Sequence, residues 1–308
     1  MVDRGADRRI AEARPAYRQY GGTPLSPLSG DRHRRNSVAA RWLETTLTHL
    51  KDHFAELVRY RALIESLVWR EVRARYRGSM LGFLWTLLNP LLLLLVYSLV
   101  FTKVTRAVDI PNYAVFFFVG ILPWLWLSTS VSAGSVAISQ GGNLITRVCM
   151  PPQVLPAVTV LSNLVNLLLA LPVALLAAAW FEVYPTWALI ALPIVLLNQL
   201  AFCYGVALLL STLTVRFRDV QFLVQNLITF WFFLTPIAYP YHAVPGQFRI
   251  LIMANPATAI ILPYQQTIYY RIFPSPVYLA LGAGWSAVLL LLALVVFEAS
   301  RDTLAEEI

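Results

Sequence analysis

The chain has 308 residues, of which 58% are apolar and 13% charged, with a net charge of +8. A soluble domain carries roughly 25% charged residues, so this composition excludes an ordinary globular protein. The basic balance does not point to nucleic acid either, because sixteen of the 24 basic residues precede residue 80 and the apolar runs follow, which is the layout of a cytoplasmic segment beside an anionic leaflet.

Residues 1–40 are rich in Arg, Pro and Gly and read as a disordered basic tail. They lack the apolar core of a signal peptide, so membrane entry is expected through the first spanning helix. Over 41–79 the pattern changes. Leu43, Leu47, Leu50, Phe54 and Leu57 recur in steps of four and three, forming one apolar stripe on a helix, with Lys51, Asp52, Glu56 and Arg59 off it. Ile64, Leu67, Val68 and Val72 continue the pattern among Arg70, Arg73, Arg75 and Arg77. Neither stretch is apolar enough to span, and both suit helices lying in the cytoplasmic membrane interface.

Six runs reach the roughly 20 residues a spanning helix needs, at 81–101, 113–138, 154–181, 187–213, 220–239 and 277–297. Gln221, Gln225 and Asn226 dilute the start of the fifth. Between the fifth and sixth, the apolar pieces Ile250–Ala254 and Ala257–Leu262 are each too short to cross and are broken by Asn255-Pro256. They predict a re-entrant helical hairpin on the external side, since irregular backbone at membrane depth has to be buried in protein or line a cavity. The predicted fold is therefore an all-α polytopic membrane protein. It has six transmembrane helices, an N-terminal amphipathic interfacial helix, a transmembrane domain over 80–300 and a cytoplasmic tail over 301–308. With both termini inside, twenty basic residues fall inside and four outside, the expected bias.

Several chemistries are missing. The only lysines are Lys51 and Lys103, and neither follows a glycine, so there is no phosphate-binding loop for nucleotide hydrolysis. His49 and His53 lie four apart on the amphipathic segment, without the glutamate of a zinc helix; they read as solvated, and no metal is expected. The two cysteines, Cys149 and Cys203, read as a loop thiol and an apolar helix residue. The spans are nearly free of charge, which argues against an ion-coupled carrier. Asn89, Asn163, Asn166, Asn198 and Gln199 fit interhelical hydrogen bonds or contact with a polar substrate.

Three stretches resemble the ABC-2 type permease family, in the branch that exports O-antigen, capsule and teichoic acid. They are Arg70–Trp85 with Asn89-Pro90; Asn143–Pro156; and Val215–Val220 with Leu234–Pro240 and Asn255-Pro256. Two departures stand out. Paired basic residues and a Pro-Arg-Glu are common in the loop after the second span, where this chain has Thr146-Arg147 and Pro151-Pro152-Gln153. Ile261–Gln265 carry no charge where the family often does. The resemblance implies a homodimer with two copies of a separate ATPase that binds the ATP and Mg, so that this chain has no cofactor of its own and is not an enzyme by itself. It also implies a lipid-linked glycan as substrate and a place in the bacterial inner membrane.

On that reading the ATPase-coupling loop is Gly142–Pro152, with Asn143, Leu144, Ile145, Arg147, Pro151 and Pro152 as its contacts. Arg216, Arg218 and Asp219 form a second cytoplasmic loop, read either as a local ion pair capping helix ends or as a subunit contact. Arg70, Arg73, Arg75 and Arg77 anchor to lipid or steer a pyrophosphate headgroup. Tyr97, Phe117, Trp124, Trp126, Trp231 and Phe232 are candidates for an aromatic channel lining, with Trp124 and Trp126 on different helix faces. A drug or lipid exporter, or a membrane enzyme of lipid-linked sugar metabolism, are the other readings; the enzyme would need carboxylates brought together from Asp109, Glu182 and Asp219.

Overall fold

Long apolar runs with no water to satisfy their backbone form helices or closed barrels, and the described residues build helices. A computed structural model describes residues 50–78, 110–148 and 150–307, with isolated positions between 84 and 99. The predicted first span over 81–101 lies outside the described residues apart from those isolated positions, and so do Asn89, Tyr97, Asp109 and Cys149, the predicted basic tail over 1–40, and the start of the interfacial stripe with His49. The helices are α1 (50–59), α2 (Arg61–Tyr76), α3 (Tyr113–Ser135), α4 (Ala137–Val148), α5 (Val154–Trp180), α6 (Leu192–Arg216, entered by a 3-10 turn at Trp187–Ala191), α7 (Val220–Leu234), α8 (Gly246–Ala254), α9 (Pro256–Tyr264) and α10 (Pro276–Glu307).

Four of them, α3, α5, α6 with its entry turn, and α10 to Arg301, are long and apolar enough to cross a membrane. α7 is a shorter apolar helix. It stops at Leu234 rather than 239 because Pro236 forces the residue before it, Thr235, into an extended conformation (φ −103°, ψ 134°). α10 runs to Glu307, beyond the apolar stretch that ends near Phe297, because leaving the apolar layer removes nothing from the helix's own hydrogen bonds.

α6 sits at the centre, packed against α3, α5 and α10. Polar side chains stitch these helices. Gln199 on α6 donates to the Pro123 carbonyl on α3 (2.8 Å), Trp126 Nε1 donates to Val160 O (3.1 Å), and Ser286 Oγ donates to Asn198 Oδ1 (2.9 Å). Asn198 and Gln199 thus take the interhelical role. Close approach is set by small residues. A Cβ on Gly134 would meet the Ala207 Cβ at 2.6 Å, and one on Gly205 would meet the α10 backbone at Leu290 N at 3.0 Å.

α2 does not lie alone. It buries Ile64, Leu67, Val68 and Val72 against Met150, Val154 and Val158 at the start of α5. α3 bends at Val136 and continues as α4, whose Gly141 lies so close to Leu155 that a Cβ would meet its Cδ1 at 2.2 Å. The predicted coupling loop is therefore mostly helix, ended before Pro151 and Pro152.

Candidate functional site

At one end of the bundle, α1, the segment ahead of α5, α6 and α10 join through one polar cluster. Glu56 on α1 accepts from the Gln153 amide ahead of α5 and lies 3.7 Å from the Arg301 guanidinium on α10. Arg301 also pairs with Glu298 at 3.5 Å. One turn before Glu56, His53 Nε2 and the Tyr204 hydroxyl of α6 share a hydrogen bond of 2.6 Å. His53 is buried, not solvated: the apolar stripe that carries it packs on Tyr204 and Phe297 instead of facing water.

Burial first, and the Arg301 charge second, push the His53 pKa down from 6.5 to about 4. The folded protein keeps the imidazole neutral, whereas the unfolded chain protonates it below 6.5. Its contribution is present in full above that pH and is lost as pH falls toward 4, by up to about 3 kcal/mol. The melting temperature in detergent is accordingly expected to fall between about pH 7.5 and about pH 5, and His53→Gln to flatten that fall. Equal slopes for the two proteins would remove His53 from the account.

Beside this cluster, α2, the α3–α4 bend and α5 enclose a cleft of about 610 Å³ lined by Arg70, Glu71, Gln140, Gly141, Leu144 and Thr159. Next to it a smaller cavity of about 160 Å³ holds Arg75, Thr129, Asn163 and Asn166 among apolar side chains that include Trp126 and Leu167. Arg75 donates to Asn163 Oδ1 (2.9 Å) and pairs with Glu71 (3.5 Å). The Asn163 Nδ2 is buried and finds no hydrogen-bond partner among the described residues.

At the opposite end, Asn255 ties three segments together. Its Oδ1 accepts from Ala257 N (3.0 Å), capping α9, and from Trp231 Nε1 (2.7 Å) on α7; its Nδ2 donates to Leu234 O (3.1 Å) and Thr235 Oγ1 (3.2 Å). α9 is buried from Ala257 to Tyr264, while Ile250 on α8 is 80% exposed. Between the two ends runs α7, of which only Val224 is fully buried. Phe222, Asn226, Thr229 and Phe233 recur at steps of four, three and four, and all are exposed, as is Gln225 beside them.

Residues 62–269 match the ABC-2 type transporter family. The chain belongs to that family. It is 46% identical, over 82% of this chain and 98% of the relative, to the O-antigen export system permease protein RfbA of Myxococcus xanthus. The RfbA permease of Klebsiella pneumoniae is 32% identical over 64% of this chain and 76% of its own. The polysialic acid transport protein KpsM of Escherichia coli is 24% identical over 64% and 78%.

Within this ABC-2 protein the predicted residues fall in distinct places. Leu144 and Ile145 pack from α4 onto the bundle, and Pro151 and Pro152 follow it, half-buried. Asn143 and Arg147 are α4 residues by backbone. Arg216, Arg218 and Asp219 are exposed. Among the described residues no ion pair joins them, and Arg216 instead lies over the Phe217 ring (5.6 Å), so the local ion pair is not what holds this turn. All four of Arg70, Arg73, Arg75 and Arg77 are exposed, and of these Arg70 borders the cleft and Arg75 the cavity.

The aromatic candidates divide. Phe117, Trp124 and Trp126 are buried inside the subunit. Trp231 and Phe232 are half-buried and face inward, their rings 6.1 and 5.7 Å from Trp124. The outward rings of α7 are the neighbouring Phe222, Phe230 and Phe233. The sequence signal for this surface was present in Gln225 and Asn226, the residues that dilute the span. Glu56, Gln153 and Arg301 carried no such signal, because their partnership spans most of the chain.

Proposed function

We propose that this chain is the membrane permease of an ATP-driven exporter of a cell-surface polysaccharide, of the O-antigen or capsule kind, carried on its polyprenyl pyrophosphate lipid across the bacterial inner membrane. The relatives named for O-antigen and polysialic acid transport support this substrate class. The observation that carries the mechanism is the α7 stripe. Amides and a hydroxyl exposed on an otherwise apolar helix are costly against lipid, and they fit a helix bordering a wet path. Phenylalanine faces beside them can hold the C–H faces of sugars without fixing a hydrogen-bond register, which a sliding polymer requires. Two copies of the chain would face each other across this path.

Six spans put both termini in the cytoplasm and make α8 and α9 a re-entrant pair on the outer side. The α4 helix then lies inside, where a separate ATPase binding ATP and Mg would push on it. Because α4 continues α3 through a single bend, a push there is transmitted to the bundle. Arg70 and Arg75, with the Asn163 Nδ2 beside them, would receive the pyrophosphate headgroup before the glycan enters.

Disruption of the chromosomal gene tests the reading. The expected result is loss of the surface polysaccharide with polymer retained inside, restored by the wild-type chain. Arg147→Glu is expected to insert and assemble yet leave ATP hydrolysis uncoupled from export. Undiminished surface polysaccharide in the disrupted strain would overturn the proposal, and coupled export by the variant would remove α4 from its mechanism.

A further inference from the structure

On the side of the bundle away from the Arg75 cavity, two apolar grooves meet. One, of about 310 Å³, runs between α5, α6 and α10 along Val160, Leu197, Leu200 and Leu290. The other, of about 490 Å³, runs between α2 and α5 along Ile64, Val68, Leu164 and Leu168. They share Phe54, Leu57, Ala157 and Leu161, which form a saddle between them. At the rim of the second groove stand Arg61 and Glu65, one turn apart on α2, both exposed. Among the described residues neither takes part in an ion pair.

From this we infer that the chain holds a structural phospholipid here, with one acyl chain in each groove, its glycerol over the saddle, and a phosphoethanolamine headgroup spread over Arg61 and Glu65. Two apolar channels diverging from one point match a diacyl lipid and not a single-chain amphiphile or a helix. The rim selects the headgroup. Side chains four apart on a helix lie about 5–6 Å from each other at their Cβ atoms, a spacing that lets one headgroup span both charges. Arg61 would take the phosphate. Glu65 would take a primary ammonium, which donates hydrogen bonds to a carboxylate. A choline headgroup has no N–H to donate, and an anionic glycerol headgroup would leave Glu65 facing a phosphate with no cation between them. The polyprenyl carrier of the exported glycan is a different source of phosphate, and its single polyisoprenoid chain would leave one groove empty.

The lipid would hold α1 and α2 against α5, α6 and α10, and so steady the His53–Glu56–Arg301 cluster that α1 contributes. Native mass spectrometry of the full chain, delipidated in detergent and offered equimolar phosphatidylethanolamine, phosphatidylglycerol and phosphatidylcholine, reads the selection directly. Phosphatidylethanolamine is expected to be retained about fivefold over either competitor, as one added charge contact at a membrane surface provides. Glu65→Lys is expected to reverse the preference toward phosphatidylglycerol, and Leu161→Trp, which fills the saddle, to abolish retention of all three. Glu65 lies on the surface, so the reversal can be read even if the tryptophan variant fails to fold. Equal retention of the three lipids by the wild-type chain, or an unchanged order in Glu65→Lys, would overturn the assignment. Preferential retention of an undecaprenyl phosphate probe over phosphatidylethanolamine would give the groove to the glycan carrier instead.

Discussion

Asn255→Ala is expected to lower the stability of the permease by about 2–4 kcal/mol and to abolish export. The side chain uses all its capacity: two bonds accepted, from Ala257 N and Trp231 Nε1, and two donated, to Leu234 O and Thr235 Oγ1. Removing the cap alone costs about 1 kcal/mol. The Trp231 N–H would then be left partly buried with no replacement partner, at about 1–3 kcal/mol for an unsatisfied group, whereas the exposed Leu234 carbonyl can turn to other donors. The functional loss follows from geometry. Trp231 and its neighbour Phe232 hold α7 against Trp124 of α3, and Asn255 fixes the last turn of α7 to the start of α9. Freed there, α7 would no longer present the Phe222–Asn226–Thr229–Phe233 stripe in one orientation. Asn255→Asp keeps the two acceptor roles but cannot donate, and should fall between. Melting curves in detergent, together with surface polysaccharide in complemented cells, measure both effects. An alanine variant with unchanged melting and export would mean that the junction does not position α7.

This junction also marks how far the sequence reaches. Asn255-Pro256 could be read as a break between two short apolar pieces, and the break is where α8 gives way to α9. That its amide also holds α7 could not be read, because the contact joins residues 24 apart across a turn built by Pro236. Spans were legible where apolar length alone decides them. α5 starts at the predicted residue 154 and ends one residue short of 181. They were less legible where a local rule intervened, as with the proline that shortens α7. The site was harder. In the run Thr229–Leu234, successive rings step about 100° around the helix, and composition does not say which of them face the subunit. Trp231 and Phe232 turned inward and Phe230 and Phe233 outward. His53 shows the same limit in polar form. An amphipathic stripe fixes which residues share a face, yet whether that face meets a lipid surface or Tyr204 on α6 depends on tertiary packing.

The tightest helix contact gives the second large effect. Gly134→Ala is expected to destabilise the permease by about 1–3 kcal/mol, and Gly134→Val to prevent its accumulation as a folded protein. The added Cβ would lie 2.6 Å from the Ala207 Cβ and 3.3 Å from its Cα. Neither atom is the end of a flexible side chain, so α3 and α6 would have to separate. Alanine's better helix propensity, worth about 1 kcal/mol in an exposed helix, does not offset a clash between two buried backbones. α6 has nowhere to retreat, since Gly205 on the same helix already rests on the α10 backbone near Leu289 and Leu290. The rescue is specific: Ala207→Gly removes the opposing methyl, so Gly134→Ala with Ala207→Gly should recover most of the lost melting temperature, although Ala207→Gly alone destabilises. The consequence for transport follows from position. Gly134 lies two residues before the bend at Val136, where α3 passes into α4. A shift of α3 away from α6 therefore tilts α4, and the single variant should hydrolyse ATP with its partner while exporting less than its residual folded fraction predicts. Export that tracks the folded fraction alone would make Gly134 a packing residue without a part in coupling, and a double variant no more stable than the single one would show that Ala207 is not the atom it meets.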